Sequence, residues 1–461
     1  MPLSGFMKLP PLQSIGDLKL PGKTLSPVRR IALYFILAIL VGAVLLALPI
    51  SHSPGHKVSF LDALFTSTSA ICVTGLAVVD TGTAYSVFGQ VIIMLLVQSG
   101  GLGIITLGTL VAFASGRRVG FRERMNLQAQ LNTFQVGGVV KLIRRIALLT
   151  FGLELTGALL LWTRFAPIEG LGRGAYFALF HSVSAFNNAG FGFYPDSLVR
   201  FVGDPVVNLV IAALIILGGL GFLVEMNIIR HYLNPRKAPF TLHTKVVLGM
   251  TGALLVFGML IFLVLEWTHT LAPLSFPQKL LASFFASVTP RTAGFNTLDY
   301  AQMDESSLLF TILLMFIGAS PGSTGGGIKT VTFFLLVLSV WTISRGHSDM
   351  AFFKRRVSHM NVIKAGVVTI LSMLLVGAAL TLLNLTDPDK NFLSLAFESV
   401  SAFGTVGLSM GITPNMSALG KIVLILLMYL GRIGPLTFTL ALIEGQKDTH
   451  IRYPEEEVVI G

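Results

Sequence analysis

The sequence predicts an all-α polytopic membrane protein in which four helix–loop–helix repeats stand in a pseudo-fourfold arrangement around one central axis. Three observations predict this fold class: the composition, a short pattern that occurs four times, and the distribution of positive charge. Of the 461 residues, 53% are hydrophobic and only 12% are charged. This composition is typical of membrane proteins and excludes an ordinary soluble domain.

Eight apolar segments approach or exceed the roughly 20 residues that cross a bilayer as a helix. We expect eight transmembrane helices, two in each repeat, at about 31–50, 86–114, 146–163, 205–229, 246–267, 308–342, 366–386 and 418–443. The segments at 86–114 and 308–342 are too long for one straight span. The first segment lacks a small-residue cleavage site, so we interpret it as structure and not as a signal peptide.

The repeated pattern is a Phe ten positions before a Gly that is followed by a large apolar residue. Its four glycines, 104 to 115 residues apart, are Gly75, Gly190, Gly294 and Gly407. Such self-similarity at a nearly fixed period indicates internal repeats. The Ser, Thr, Asn and Gly residues of these stretches would be costly at membrane depth unless protein shields the backbone or water reaches it. The four loops should therefore converge on one aqueous path, where helix C-termini favour a cation and glycines allow carbonyl oxygens to align.

Basic residues predict the orientation of the chain. Of its 33 Lys and Arg residues, 23 lie in five regions: the N-terminus to Arg30, Arg117 to Arg145, Arg230 to Lys245, Arg345 to Lys364, and the C-terminal tail. Most of the acidic residues lie in the regions between them. The positive-inside rule then places both termini in the cytoplasm, and the glycine-containing loops approach from outside. This distribution explains the net charge of +11 without nucleic acid.

The repeats and the charged regions divide the chain into six parts. The predicted boundaries are 1–28 for a cytoplasmic N-terminal tail, 29–120 for repeat 1, 141–237 for repeat 2, 243–346 for repeat 3, 362–445 for repeat 4, and 446–461 for a cytoplasmic C-terminal tail.

At the four loops, and over almost the whole chain, the sequence resembles the Trk/Ktr/HKT superfamily of potassium transporters. It resembles the Ktr-type membrane subunit most, because only about 28 residues precede the first span. The resemblance implies that backbone carbonyls of four segments form a potassium filter and replace the hydration shell of the ion. These segments, which we call the glycine loops, are Val73-Thr74-Gly75-Leu76, Asn188-Ala189-Gly190-Phe191, Thr292-Ala293-Gly294-Phe295 and Thr405-Val406-Gly407-Leu408. Some plant relatives that prefer sodium have serine at the first glycine, so Gly75 favours potassium.

The predicted span at 308–342 contains five glycines and a proline between two apolar halves, so it cannot be one continuous helix. The resemblance implies an intramembrane gating loop here, at 318–329, together with an arginine of the fourth repeat. The gate residues are Gly318, Ala319, Ser320, Pro321, Gly322, Ser323, Thr324, Gly325, Gly326, Gly327, Lys329 and Arg432. A simple helix kink is the alternative. A nucleotide-binding loop is rejected, because Ile328 displaces Lys329 from the required position and the flanks are apolar.

Two arginines lie in predicted membrane segments, where a charge needs a partner or a function. For Arg432, the resemblance implies a position facing the cavity under the filter, with contact to the gating loop. Glu398 is the nearest obvious carboxylate partner, and a snorkelling surface arginine is the alternative. For Arg291, a structural bond to neighbouring loop carbonyls is expected rather than a position in the pore.

Small and acidic residues near the loops carry two further expectations. The runs Gly100-Gly101 and Gly218-Gly219, with Gly103 and Gly221 after them, should allow close helix contacts or make room for the gating loop. Three acids follow their glycines by five or six residues and either ring the outer mouth or are ordinarily solvated. They are Asp80, Asp196 and Asp299.

The resemblance implies potassium uptake across the cytoplasmic cell membrane by a channel-like subunit that is not an enzyme. It further implies a homodimer on a cytosolic nucleotide-binding regulatory ring, with potassium as substrate, sodium as a candidate activator, no covalent cofactor and no nucleic acid. Two alternatives remain: a sodium-permeable cation transporter of the same superfamily, and a broken-helix secondary transporter. Four repeats of the same orientation argue against the second, which usually has a twofold inverted repeat.

Overall fold

The computed structural model describes residues 27–103, 106, 139–236, 238–346 and 349–434. Within these ranges the chain is mostly helical, as the sequence predicts. The C-terminal tail and nearly all of the N-terminal tail lie outside the described residues, as do the last parts of the first and fourth predicted repeats.

Four long helices, one in each predicted repeat, are apolar enough to cross a membrane. They are α1 Pro27–Ala47, α5 Val139–Glu169, α9 Leu242–Leu265 and α13 His359–Thr386. We call them the outer helices. They expose large apolar side chains, such as Leu37, Val264 and Leu385. An apolar surface of this kind suits contact with lipid and not with water.

A short, largely buried helix follows each outer helix and leads into a glycine loop. These loop helices are α2 Phe60–Cys72, α6 Leu171–Phe186, α10 Phe276–Val288 and α14 Phe392–Gly404. Ser59 and Asn391 cap the first and the last through their side chains, and Ser275 forms a capping box with Gln278. Such caps fix where a helix begins, because they satisfy backbone N–H groups that have no partner within the helix.

A third helix completes each unit, and we call this set the inner helices. They are α4 Val87–Leu102, α7 Pro205–Leu220, α11 Glu305–Phe316 and α15 Ala418–Ile433. Each begins at a side chain that accepts a hydrogen bond from the first turn. These capping residues are Ser86, Asp204, Asp304 and Ser417.

The inner helices are shorter than predicted, because each of the four ends before its predicted segment does. Three end at a glycine with nearly the same backbone angles: φ/ψ is 85°/132° at Gly103, 95°/134° at Gly221 and 90°/136° at Gly434. Glycine adopts such angles at no steric cost, whereas other residues rarely do. The segment predicted at 205–229 is therefore bent and not straight, and the part of the segment at 418–443 that follows Gly434 lies outside the described residues. After Gly221, α8 Phe222–Leu233 continues at a bend of 99°.

The remaining elements are small. After the third inner helix, α12 Thr330–Ser344 leads to a hairpin of β1 Ala351–Phe352 and β2 Arg355–Arg356. The loops between the helices contain α3 Thr81–Ala84 and the 3-10 turns Pro49–Ser51, Val199–Phe201, Tyr300–Gln302 and Thr413–Asn415.

Packing joins the four units in a closed circle. One buried cluster combines residues of the first and second units and extends to Phe295 of the third. Another joins the third and fourth, for example Leu314 and Phe397. A third joins the fourth back to the first, for example Leu424 and Phe65. The glycine loops lie where these units meet.

Candidate functional site

The four glycine loops follow the same backbone path. In each, the residue two positions before the glycine has a positive φ: 59° at Val73, 59° at Asn188, 74° at Thr292 and 49° at Thr405. The glycines themselves also have positive φ, with 93°, 71°, 77° and 90° in chain order. A positive φ is strained for Val, Asn and Thr, so the surrounding structure must hold these residues in place.

The glycines lie against one another in a closed ring. A Cβ atom added to Gly75 would lie 2.4 Å from a carbonyl oxygen of the second loop, and one added to Gly190 would lie 2.8 Å from a carbonyl oxygen of the third. A Cβ on Gly294 would lie 2.6 Å from the fourth loop, and a Cβ on Gly407 2.1 Å from the first. The oxygens concerned belong to Ala189, Ala293, Val406 and Thr74. Only glycine fits between these carbonyls, and a ring of carbonyl oxygens can replace the hydration shell of a monovalent cation.

Hydrogen bonds from the loop helices support the glycine loops. The N–H before the glycine donates to a serine carbonyl in three loops, over 2.7 Å from Thr74 to Ser69, 2.8 Å from Ala189 to Ser184 and 2.9 Å from Val406 to Ser401. The C-terminal ends of the loop helices thus lead directly into the ring. Their partial negative charge favours a cation there.

The third loop is supported differently. Ala293 N donates to Thr289 O over 3.0 Å, four residues earlier and not five, and the Thr289 hydroxyl donates to Phe295 O. The side chain of Arg291 is buried and donates to the Thr251 hydroxyl of α9 over 3.2 Å. Arg291 therefore has a structural contact, but with a hydroxyl group and not with the loop carbonyls that we expected.

A cavity of about 860 Å³ lies against the ring and is lined by all four glycines. The three predicted acids, Asp80, Asp196 and Asp299, line it as well. Each also has a local role: Asp80 caps α3, Asp299 caps a 3-10 turn, and Asp196 forms an ion pair with Arg200 over 2.7 Å. The two interpretations of these acids are therefore compatible.

The 318–329 loop is a compact unit whose two ends pair with each other. Gly318 N donates to Ile328 O over 2.8 Å, and Thr330 N donates to Ala319 O over 3.3 Å. The hydroxyls of Ser320 and Thr330 are 3.1 Å apart. The interruption is thus a folded loop and not a simple kink between α11 and α12.

The loop packs directly against two glycine loops. A Cβ on Gly325 would lie 2.1 Å from the Thr292 hydroxyl oxygen, and one on Gly326 would lie 2.3 Å from the Thr405 hydroxyl oxygen. Lys329 Nζ donates to the carbonyls of both these glycines, over 2.7 and 3.3 Å. Glycine at 325 and 326 therefore allows the loop to lie against the ring.

The second inner helix forms the other wall of the loop. Ser320 N donates to Gly219 O over 3.0 Å, and the Thr324 hydroxyl donates to Gly218 O, also over 3.0 Å. Phe222 N, after the break at Gly221, donates to Gly322 O over 3.0 Å. The glycine run of the second inner helix makes room for the loop, which is one of the two roles that we expected for it.

Arg432 contacts the loop as expected, but its predicted partner is wrong. Its guanidinium group donates to Thr324 O and to Gly100 O of the first inner helix. Glu398 instead accepts hydrogen bonds from the hydroxyls of Ser409 and Thr413, which follow the fourth glycine loop. Carbonyl oxygens, and not a carboxylate, thus satisfy the arginine.

Sequence reasoning did not locate the helix ends at Gly103, Gly221 and Gly434, although a signal was present. Each broken inner helix carries glycines three residues apart, as Gly100/Gly103, Gly218/Gly221 and Gly431/Gly434. In each pair, the second glycine ends the inner helix. The first glycine lies against the backbone carbonyl of a loop-helix residue that is four positions before the ring glycine. These carbonyls belong to Ile71, Phe186 and Phe403. The shared G-x-x-G spacing predicts both features once it is compared across repeats.

Comparisons with known proteins agree with this architecture. The model of the TrkH family, described as cation transport protein, matches residues 31–451. The chain is 45% identical to the Ktr system potassium uptake protein B of Bacillus subtilis, over 95% of this chain and 97% of that protein. It is 39% identical to the potassium/sodium uptake protein NtpJ of Enterococcus hirae, over 95% of this chain and 98% of that protein.

The fold is also shared with a solved structure. The crystal structure of the potassium transporter TrkH from Vibrio parahaemolyticus matches with a TM-score of 0.73 at 19% sequence identity, and the match covers 92% of this chain and 86% of that one. The family model spans most of the sequence, and the relatives align over nearly their whole length. The chain therefore belongs to the TrkH family of cation transport proteins, which are integral membrane transporters and not enzymes.

Proposed function

We propose that this protein takes up potassium across the cytoplasmic membrane as the ion-conducting subunit of a Ktr-type system. The observation that carries this proposal is the closed ring, in which the carbonyl before each glycine lies against the glycine of the neighbouring loop. A relative over nearly the full length is named as a potassium uptake protein. Potassium is thus the substrate, and membrane potential drives its inward flow.

In this proposal the four predicted repeats form eight transmembrane helices around one pore, with both termini in the cytoplasm. The concentration of basic residues on the predicted inner side supports this orientation. A cation loses its water at the four glycine loops, whose carbonyls and helix ends compensate the lost hydration. It then meets the 318–329 loop and Arg432, which form the gate. The cationic guanidinium group adds an electrostatic barrier there.

The same proposal includes partners. A homodimer seated on a cytosolic nucleotide-binding ring would set how often the 318–329 loop opens, and sodium is a candidate activator. The relatives named as parts of a Ktr system support the idea of companion subunits.

A second candidate function is a transporter of the same superfamily that also admits sodium. The name of the Enterococcus relative, a potassium/sodium uptake protein, favours it. The two candidates share the ring and differ in how well it discriminates between the two ions.

The test is the Gly75→Ser variant, with potassium and sodium uptake measured in proteoliposomes. A side chain at residue 75 would displace Ala189 O, so we expect discrimination between the ions to fall roughly tenfold or more. Gly55→Ser is the matched control, because Gly55 has a similar φ of 83° and no atom within 4 Å of an added Cβ. It introduces the same backbone strain away from the ring.

An unchanged ion ratio in Gly75→Ser, together with normal uptake, would refute the assignment of the ring as the filter. Comparable uptake of sodium and potassium by the unaltered protein would instead favour the second candidate.

A further inference from the structure

A buried polar cluster lies behind the second glycine loop and joins residues of the first and second predicted repeats. It consists of Glu154 on the outer helix α5, Gln98 on the inner helix α4, and Asn187, which directly precedes the loop. Their exposed fractions are only 3%, 7% and 0%. Polar groups so deep in a membrane protein are costly, which makes them candidates for a function.

Asn187 is the centre of the cluster. Its Nδ2 donates to Glu154 Oε1 over 3.0 Å, to Gln98 Oε1 over 2.9 Å and to Val183 O over 2.8 Å. The side chain is also held sterically, since a Cβ on Gly101 would lie 1.9 Å from Asn187 Oδ1. Asn187 therefore cannot move without disturbing Glu154, Gln98 or α4.

Stability alone does not explain the cluster. Among the ion pairs of the described residues, none involves Glu154. Gln98 Nε2 and Asn187 Oδ1 are buried without hydrogen-bond partners in the described part of the chain. A well-packed apolar cluster would avoid the cost of desolvating these groups.

Among the described residues, the second glycine loop lacks a support that the first and fourth loops possess. In the first loop Gly75 N donates to Ser69 Oγ over 3.0 Å, and in the fourth Gly407 N donates to Ser401 Oγ over 3.1 Å. The equivalent serine of the second loop, Ser184, has a buried hydroxyl without a partner among the described residues. The Asn187 cluster lies where this loop needs another support.

We propose that Glu154 is a positioning residue for ion selection, which acts through Asn187 to hold the Asn188–Phe191 segment in the ring. This inference rests on the proposed function of the ring as the filter. The contact that holds the loop lies within the protein. One carboxylate oxygen of Glu154 accepts a hydrogen bond from the carboxamide of Asn187, which directly precedes the strained residue Asn188. The loop then keeps its carbonyls in place while a cation passes.

The experiment compares Glu154→Leu, Glu154→Gln and the unaltered protein. The readout is the ratio of potassium to sodium permeability in proteoliposomes, which does not depend on how much protein folds. Leu removes the acceptor, so the ratio should fall roughly three- to tenfold, the effect of one buried hydrogen bond. Gln retains an acceptor oxygen and should largely restore the ratio. Gln is also the variant that is more certain to fold.

Two further variants separate positioning from general damage. Thr150→Val removes a buried hydroxyl that has no partner among the described residues and lies one turn earlier on α5, and it should leave the ratio unchanged. Asn187→Ala should lower the ratio as Glu154→Leu does, and the double variant should add little, because both remove one interaction.

An unchanged ratio in Glu154→Leu would overturn the proposal, as would equal losses in the Leu and Gln variants or fully additive losses in the double variant. If Gly75→Ser alters the ratio and Glu154→Leu does not, only the role of Glu154 fails. If neither alters it, the filter assignment fails as well.

Discussion

The ring of glycine loops and the 318–329 loop lie next to each other, but they are built on opposite plans. The ring uses one backbone path four times, with a positive φ at the same two positions of each loop. The 318–329 loop occurs once and contacts the second inner helix, the third and fourth glycine loops, and Arg432. In the proposed function, an ion needs equal surroundings where it loses its water. A gate, in contrast, needs only one element that can move.

Glycine serves different purposes in the two regions. In the ring it combines a positive φ with space for a neighbouring carbonyl, as at Gly75 and Gly407. In the 318–329 loop, Gly325 and Gly326 have no unusual φ, and the absence of a side chain lets the loop lie against Thr292 and Thr405. The same substitution should therefore alter selectivity in the ring and flux in the loop.

Among the tests that compare the ring with the 318–329 loop, deleting Gly322–Gly327 should have the largest effect on ion flux. This deletion removes the contacts of Thr324 with Gly218 and Arg432, and also the packing of Gly325 and Gly326 against the ring. Several hydrogen bonds of about 1 kcal/mol each hold the loop, so ion flux should rise roughly tenfold or more. Rubidium uptake into proteoliposomes measures the flux. A lower flux from folded, inserted protein would contradict the role as a gate.

Much of the ring could be predicted from sequence, because each loop repeats the same residues at the same spacing. The interruption at 318–329 was also predictable, since Pro321 and five glycines cannot continue a helix. The length of the segment at 86–114 indicated an interruption there, but the helix ends at Gly103, Gly221 and Gly434 were not located, because isolated glycines in an apolar helix are ordinarily tolerated. Comparing the inner helices with one another would have revealed them.

The partner of Arg432 could not be predicted for a different physical reason. A search for the nearest carboxylate finds Glu398, but carbonyls freed by a broken helix are equally good acceptors for a guanidinium group. A backbone carbonyl that serves as an acceptor cannot be recognised from the sequence, because every residue carries one. Likewise, Glu154 is visible as a carboxylate in an apolar span, whereas its contact with Asn187 depends on how α5 packs against α6.

A smaller effect is expected from Arg432→Gln. The substitution removes the charge and weakens the bonds to Thr324 O and Gly100 O, but the loop keeps its bonds to Gly218 and Gly219. Ion flux should rise about threefold to tenfold, because one or two hydrogen bonds that hold the loop are lost. The potassium to sodium ratio should stay the same. Arg173→Gln is the control, because this exposed arginine forms an ion pair with Glu169 and lies over the ring of Phe177, away from the 318–329 loop. A changed ion ratio without a change in flux would place Arg432 in the filter rather than the gate.

The smallest effect concerns a contact that belongs to neither region and closes the circle of repeats. Lys421 of the fourth inner helix forms an ion pair with Asp62 of the first loop helix over 2.7 Å, and both side chains are mostly buried. Lys421→Met should lower the free energy of unfolding by about 1–2 kcal/mol, because the partly buried Asp62 carboxylate loses its ion-pair partner. The midpoint of thermal unfolding in detergent should fall by roughly 1–2 °C. Because Lys421 touches neither the ring nor the 318–329 loop, flux and ion ratio should remain unchanged.

The Asp62→Asn variant should show the same loss of stability as Lys421→Met. The double variant should lose no more stability than either single variant, because both remove one interaction. A change in ion ratio would instead mean that the closure between the fourth and first units helps to shape the ring itself.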